Sequence, residues 1–482
     1  MTEPSTTVDI PAEAAAAAFA VTSSAPDRTR AGWLHAIADA LDAAAEELVD
    51  LAAEETGLGV VRLTGEVART TNQLRMFADV IDEGSYLEAT IDHVNPDATP
   101  PVPDLRRMLR PVGPVAVFAA SNFPFAFSVA GGDTASALAV GAPVIVKSHP
   151  GHPRTSRRTA EIVIDALNTH GAPEGTFAMV EGFDAGLALV DHPAIAAVGF
   201  TGSLRGGRAL FDRAAARPDP IPFYGELGSL NPVVVTARAD AARGAELAEG
   251  LAGSFQLGVG QFCTKPGVVL VPEGSDLEGS LARHLAPQPR MLTSSIAEGY
   301  AAGADRATAI PGVEIVGRAE SDEGPAALVI AADARTVIAH RGELLEEVFG
   351  PITLLVRYAG QSELLELIGA VPGSLTATVH AEREESVEEV LTALERIAGR
   401  VLFDGWPTGV AVSWAQQHGG PWPATTSLFT SVGATAVRRF QRPVAYQGAP
   451  AELLPPALQE DNPLNIPRRV DGVLRLPANG EV

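Results

Sequence analysis

Between Pro111 and Val235, short, largely apolar runs alternate with helical stretches, and no other feature of the chain restricts its fold as much. VGPVAVFAA (112–120), APVIVK (142–147), TFAMVEG (176–182) and AIAAVGF (194–200) are the apolar runs. Between them lie FAFSVAGGDTASALAVGA (125–142), which reads as a helix of small residues, a helix around Arg157–Asn168, and a shorter one. A strand that is apolar at every position is buried on both faces, which a parallel sheet with helices on either side provides. The alternation predicts a doubly wound α/β unit whose ligands bind beyond the carboxyl ends of its strands. A further helix starts at Ser203 and a strand ends near Glu226. NPVVV (231–235) then opens a second α/β unit that runs to about Gly433.

The flanking segments follow other patterns. Residues 12–55 read as two helices, an alanine-rich stretch and then Asp27–Glu55, with Glu66–Val80 as a third. Strand-like alternation on both sides of NPDATPPVP, within Tyr86–Arg110, predicts a projecting hairpin. RRFQRPVAYQGAP (438–450) reads as a strand in search of an edge, and the proline-bearing tail as a wrap over a surface.

Length and charge narrow the function. At 482 residues two or three lobes are expected. Thirty-five Lys and Arg against fifty-nine Asp and Glu leave a net charge of −24, which repels phosphate backbones and anionic lipid headgroups. Nucleic acid and membrane are therefore not expected partners. A single cysteine rules out an intramolecular disulfide and a multi-cysteine zinc site, and no metal is expected. The N-terminal stretch lacks a basic region, and no run of 18 apolar residues occurs, so the expected compartment is the cytoplasm.

Chemistry concentrates in a few segments. GVGQFCTKPG (258–267) sets the only cysteine, Cys263, in a glycine-rich turn. Roughly four in five lone cysteines are inert core residues, but an open turn suits a nucleophile better than a core filler. Glu226 follows a strand in YGELGSLNP and could act as a general base with a pKa raised by burial, or be a solvated loop acid. Asn122, in AASNFPFAFS, could donate its amide to an oxyanion, cap a helix, or do both. Lys147 ends a strand, where it could reach cofactor hydroxyls or phosphate or simply snorkel to solvent. FTGSLRGG (200–207) puts Gly202, Ser203 and Gly207 at a strand-to-helix junction whose free amides suit a pyrophosphate. In EEVFGP (346–351), Glu347 could bind ribose hydroxyls or be a helix-end acid, and Phe349 could wall a nicotinamide or fill the core. HExxH, GxSxG and paired CxxC motifs are all missing.

Taken in order, these segments resemble the aldehyde dehydrogenase superfamily across nearly the whole chain. SNFPF is similar to its oxyanion motif, VIVK to its cofactor lysine and FTGS to its pyrophosphate turn. GELG resembles its general-base motif, GQFC its nucleophile motif and EVFGP its nicotinamide-ribose motif. VKSHPGHPRTS, FYGELGSLNPVV, DGWPTGVAVSWAQQHGGPWPATTS and TSVGATAVRRFQRPVAYQ extend the likeness to the 2,5-dioxovalerate (α-ketoglutarate semialdehyde) dehydrogenase branch. The resemblance implies a Rossmann-type cofactor domain (1–83 and 112–228), an α/β catalytic domain (229–437), and a projecting β oligomerisation segment (84–111 with the tail 438–482).

It also implies a reaction. Cys263 attacks an aldehyde, Asn122 holds the oxyanion, and Glu226 activates the water that releases the acid. The sequence 147–150, Lys-Ser-His-Pro, lacks the glutamate that would repel a 2′-phosphate. With His149 and Arg205 available, NADP is expected to be preferred and NAD tolerated. The region 406–426 is expected to line the substrate tunnel, where His418 is a substrate contact or a structural residue. Exposed strand edges at 84–111 and near 438–448 imply pairing between subunits of a homodimer or homotetramer. Two rivals stand beside the semialdehyde reading, a broad aliphatic or fatty-aldehyde NADP dehydrogenase and a catalytically silent binding homologue.

Overall fold

The structure is a computed structural model that describes residues 6–477. Four helices begin it, α1 (Thr6–Thr22), α2 (Asp27–Ala43), α3 (Ala45–Thr56) and α4 (Val60–Glu83). The stretch Asp27–Glu55, expected as one helix, breaks at Ala44 (φ −99°, ψ 10°). The break lets Leu41 of α2 and Leu48 of α3 bury in the same core. α4 starts six residues before the expected Glu66 and buries Leu63, Val67, Leu74, Phe77 and Ile81 along one face.

After the hairpin β1 (Thr90–Asp92) and β2 (Leu105–Pro111) comes the first α/β unit. It holds β3 (Val115–Phe118), α5 (Gly132–Ala139), β4 (Val144–Lys147), α6 (Pro153–Thr169), β5 (Phe177–Val180), α7 (Phe183–Asp191), β6 (Ala197–Thr201), α8 (Leu204–Ala215) and β7 (Phe223–Glu226). All strand pairs are parallel, in the order β5-β4-β3-β6-β7. Because the order reverses between β3 and β6, a crevice opens at their carboxyl ends, where a doubly wound sheet binds its ligand. The helix expected over 125–142 is much shorter. Phe125 and Ala126 donate their amides to the Glu66 carboxylate (2.8 and 3.0 Å), which holds this stretch as a turn until Gly132.

The second unit contains β8 (Val233–Val235), α9 (Ala237–Gln256), β9 (Val268–Pro272), α10 (Leu277–Ala282), α11 (Ser294–Thr308), β10 (Glu314–Ala319), β11 (Ala327–Asp333), β12 (Ile352–Tyr358), β13 (Ser374–His380) and β14 (Ala398–Phe403). They form a seven-stranded sheet in the order β10-β11-β12-β9-β8-β13-β14, antiparallel only at β10. Residues 404–440 then return to the first unit, where Ala434, Ala436, Val437 and Phe440 join its core.

The last strands are β15 (Gln441–Gln447), β16 (Arg468–Val470) and β17 (Val473–Arg475). The edge that the segment near 438–448 was expected to find on another subunit lies in its own chain. β15 pairs antiparallel with β2, from Gln441 opposite Pro111 to Gln447 opposite Leu105. The tail does more than wrap a surface, since it completes the sheet β15-β2-β1-β16-β17. Among the described residues no helix is long and apolar enough to cross a membrane.

Candidate active site

Three loops meet around one cavity of about 500 Å³, whose wall includes Asn122, Phe127, Glu226 and Cys263. Asn122 follows β3, Glu226 ends β7, and Cys263 lies between α9 and β9. The cysteine loop takes three successive left-handed residues, Gly258 (φ 58°), Val259 (φ 61°) and Gly260 (φ 64°). A side chain at Gly260 would overlap the carbonyl of Gly350, so this position needs glycine for space as well as for conformation. Asn231 clamps the far side. Its amide donates to the carbonyls of Cys263 (2.8 Å) and Lys265 (2.9 Å), and its Oδ1 accepts from Ser229 Oγ (2.7 Å). Asn122 is fixed likewise. Its Nδ2 donates to Gln261 O (3.0 Å), and its own carbonyl accepts from Arg62 Nη2 (2.6 Å).

Two of the candidate residues, Glu226 and Cys263, share one network through His418. Glu226 Oε1 accepts from His418 Nε2 (2.9 Å) and Oε2 from Ser431 Oγ (2.8 Å), while Cys263 Sγ lies 3.6 Å from His418 Nε2. Burial alone would raise the Glu226 pKa. The charge and hydrogen bond of His418, with the bonds from Ser431 and Cys263, outweigh it and hold the carboxyl below its usual range. That reverses the raised pKa expected from the sequence. Burial pushes the Cys263 thiol well up, and the nearby Glu226 charge adds to it, so the resting sulfur carries its proton. One hydrogen of Asn122 Nδ2 remains unused, and the Cys263 N–H meets no acceptor among the described residues. Together they can bind an oxyanion.

The rest of the wall suits a dinucleotide. Lys147, His149, Gly202, Ser203, Glu347 and Phe349 line it. Lys147 forms no hydrogen bond or ion pair among the described residues, which leaves a half-buried cation facing the cavity. Ser203 caps α8 by accepting from Gly206 N (3.2 Å), and the first amides of that helix are free for an anion. These donors fit a pyrophosphate.

His149 does not serve as the cation the sequence suggested. Burial, with His152 and Lys147 nearby, pushes its pKa down to about 3. Its Nδ1 accepts from Gly151 N (3.0 Å), so the neutral ring carries its proton on Nε2 and offers a donor. Arg205 is exposed and Gly207 is buried under Leu227 and Phe200, and neither is part of the cavity wall. The stretch 406–426, expected to line the tunnel, contributes no residue to this cavity wall: His418 Nε2 lies 3.6 Å from Cys263 Sγ, and Trp406 packs tilted against His380 (4.6 Å between centroids).

Sequence reasoning missed three residues and the position of a fourth. Ser431 and Asn231 carried no motif of their own, and His418 was noted without its place between Cys263 and Glu226. Lys265 is fully buried, with Nζ donating to Val348 O (3.0 Å) and Ile352 O (2.9 Å). Burial lowers its pKa and raises that of Glu347 beside it, and each charge offsets the other's shift.

Residues 3–283 match the profile of the aldehyde dehydrogenase family. The chain belongs to that family. Its enzymes oxidise aldehydes with NAD(P), and this chain is an aldehyde dehydrogenase. Over 474 residues it is 48% identical to alpha-ketoglutaric semialdehyde dehydrogenase 2 of Azospirillum brasilense, covering 95% of this chain and 90% of that one. The alpha-ketoglutaric semialdehyde dehydrogenase of Acinetobacter baylyi is 42% identical over 480 residues, covering 97% and 91%. Among solved structures, 1-pyrroline-5-carboxylate dehydrogenase from Thermus with bound NAD superposes with a TM-score of 0.76 at 23% identity, covering 91% and 85%. Both the aldehyde dehydrogenase fold and the α/β class read from the sequence are therefore present.

Proposed function

We propose that this aldehyde dehydrogenase oxidises 2,5-dioxovalerate to 2-oxoglutarate through a thioester on Cys263, with NADP preferred and NAD accepted. The observation that carries the chemistry is the convergence of the Cys263 sulfur, the Glu226 carboxylate and the Asn122 amide on one cavity. For the substrate, support comes from the names of the two relatives and the length of chain they share.

Glu226, kept ionised by His418 and Ser431, takes the thiol proton of Cys263. The thiolate attacks the aldehyde carbon, and the oxyanion accepts from Asn122 Nδ2 and the Cys263 N–H. A bound nicotinamide dinucleotide supplies the acceptor for the hydride that leaves this carbon, and a thioester remains on Cys263. Glu226, having released its proton to solvent, takes a proton from a water that attacks the thioester carbonyl, the C–S bond breaks, and the acid departs as the Cys263 thiolate is reprotonated. His418 keeps the carboxylate aimed at the sulfur throughout.

NADP preference is supported by the unpaired Lys147, followed by Ser148 and His149 in place of an acidic residue. A cytoplasmic homodimer or homotetramer fits the two open edges, β15 and β17, of the projecting sheet. Steady-state kcat/KM for 2,5-dioxovalerate and for hexanal, each with NADP and NAD, tests the reading. Equal efficiency with hexanal would favour the broad aliphatic rival, no turnover with any aldehyde the silent homologue, and a clear NAD preference would refute the cofactor assignment.

A further inference from the structure

One half-buried cation near Cys263 and Glu226 has no hydrogen bond or ion pair among the described residues. α4 carries Arg62, Glu66 and Arg69 at helical spacing, so all three lie on one face. Two of them are engaged. Glu66 Oε1 accepts the amides of Phe125 and Ala126, and Arg62 donates to the Asn122 carbonyl. Arg69 makes no hydrogen bond and no ion pair among the described residues, and its Nε and Nη2 are buried with nothing to accept them.

The surroundings of Arg69 face the chemistry. Arg69 is not itself in the cavity wall, but its guanidinium lies 5.2 Å from the ring centroid of Phe127 and 5.8 Å from that of Phe123, and both rings line the cavity with Cys263 and Glu226. The charge of Glu66 acts on Arg69 first against the effect of its burial, and those of Cys263 and Glu226 are near enough to add to it. Arg400, the other arginine whose field reaches Cys263, donates from both Nη atoms to the carbonyls of Pro407 (2.8 Å) and Gly409 (3.1 Å), and only its Nε is unmet. A desolvated guanidinium with unmet donors is costly to keep unless an anion meets it. A guanidinium always carries charge and presents a planar fork that matches a carboxylate.

The geometry points to Arg69 as the receptor for the substrate's far carboxylate, with Phe123 and Phe127 flanking the methylenes and the aldehyde carbon at Cys263. This rests on the carboxylated-aldehyde reading above and names the residue that enforces it. Arg62, which holds the Asn122 carbonyl, is a positioning residue for the oxyanion donor.

The test compares kcat/KM for 2,5-dioxovalerate with that for pentanal, a neutral aldehyde of equal length, in wild type, R69M and R69K. In R69M the ratio of the two should fall about 10²-fold, carried by KM for the charged substrate. R69K should lie between, because a point charge without the fork recovers part of the contact. Should R69M not fold, R69K alone decides, with a ratio at least fivefold below wild type expected. A ratio within twofold of wild type in the folded variants overturns the assignment, as does an equal fall with both aldehydes, which would mean that Arg69 serves only the cysteine. A wild type that does not prefer the carboxylated aldehyde sinks the substrate reading as well. If it does prefer it while the variants keep its ratio, the substrate reading survives and only Arg69 is lost.

Discussion

Ser431→Ala tests how the base is kept ionised. Glu226 is almost fully buried, at 2% exposure, and two side chains donate to its carboxylate oxygens, His418 at 2.9 Å and Ser431 at 2.8 Å. A hydrogen bond to a buried charge is worth about 1.5–3 kcal/mol. One pKa unit corresponds to about 1.4 kcal/mol, so losing Ser431 Oγ should raise the Glu226 pKa by about 1–2 units. In the wild type this pKa lies below the usual carboxylate range, so the stability it contributes is present above the unfolded-state pKa and lost as pH falls through the folded one. The variant should be less stable at neutral pH by about 1.5–3 kcal/mol, with the difference closing on acidification. For activity, kcat/KM against pH should keep its plateau while the acid limb moves up by about 1–2 units. The rate profile is read by NADPH absorbance from pH 4 to 9, beside urea unfolding at pH 7. An acid limb that stays in place while stability falls would show that Ser431 packs without tuning the carboxylate, and the account of Glu226 would fail.

Other changes probe the remaining parts. Asn122→Ala should lower kcat about 10²–10³-fold, since a backbone N–H remains as a second oxyanion donor; a loss under tenfold would remove Asn122 from that role. Glu226→Gln should lose the base for both the thiol and the water, so the NADPH burst is slowed and steady-state turnover falls, and undiminished steady-state turnover would refute the base. Gly260→Ala forces a side chain onto a left-handed residue against the Gly350 carbonyl and should destabilise the fold by about 2–5 kcal/mol, read from the urea midpoint.

Much of this was legible in the chain because strand burial leaves a local trace. Val115–Phe118, Val144–Lys147 and Ala197–Thr201 are apolar where a two-sided strand must be, and the Gly-rich turn at Cys263 announced an open backbone. Helix limits were harder to read. The break at Ala44 sits between alanines with ordinary helix preference, and it exists only because both apolar faces seek one core. The turn at 125–131 depends on Glu66, nearly sixty residues earlier, accepting two amides.

Residue type and order thus determined which atoms could react: one sulfur, a carboxylate ending a strand, and an amide after another. Tertiary structure alone decided their states. The approach of His418 and Ser431 depressed a pKa that burial would have raised, and packing beside His152 and Lys147 made His149 neutral. The pairing of β15 with β2 in the same chain likewise joins segments more than three hundred residues apart. Charge states follow from distances of a few ångströms, and distances between remote residues are set only when the sheets close on each other.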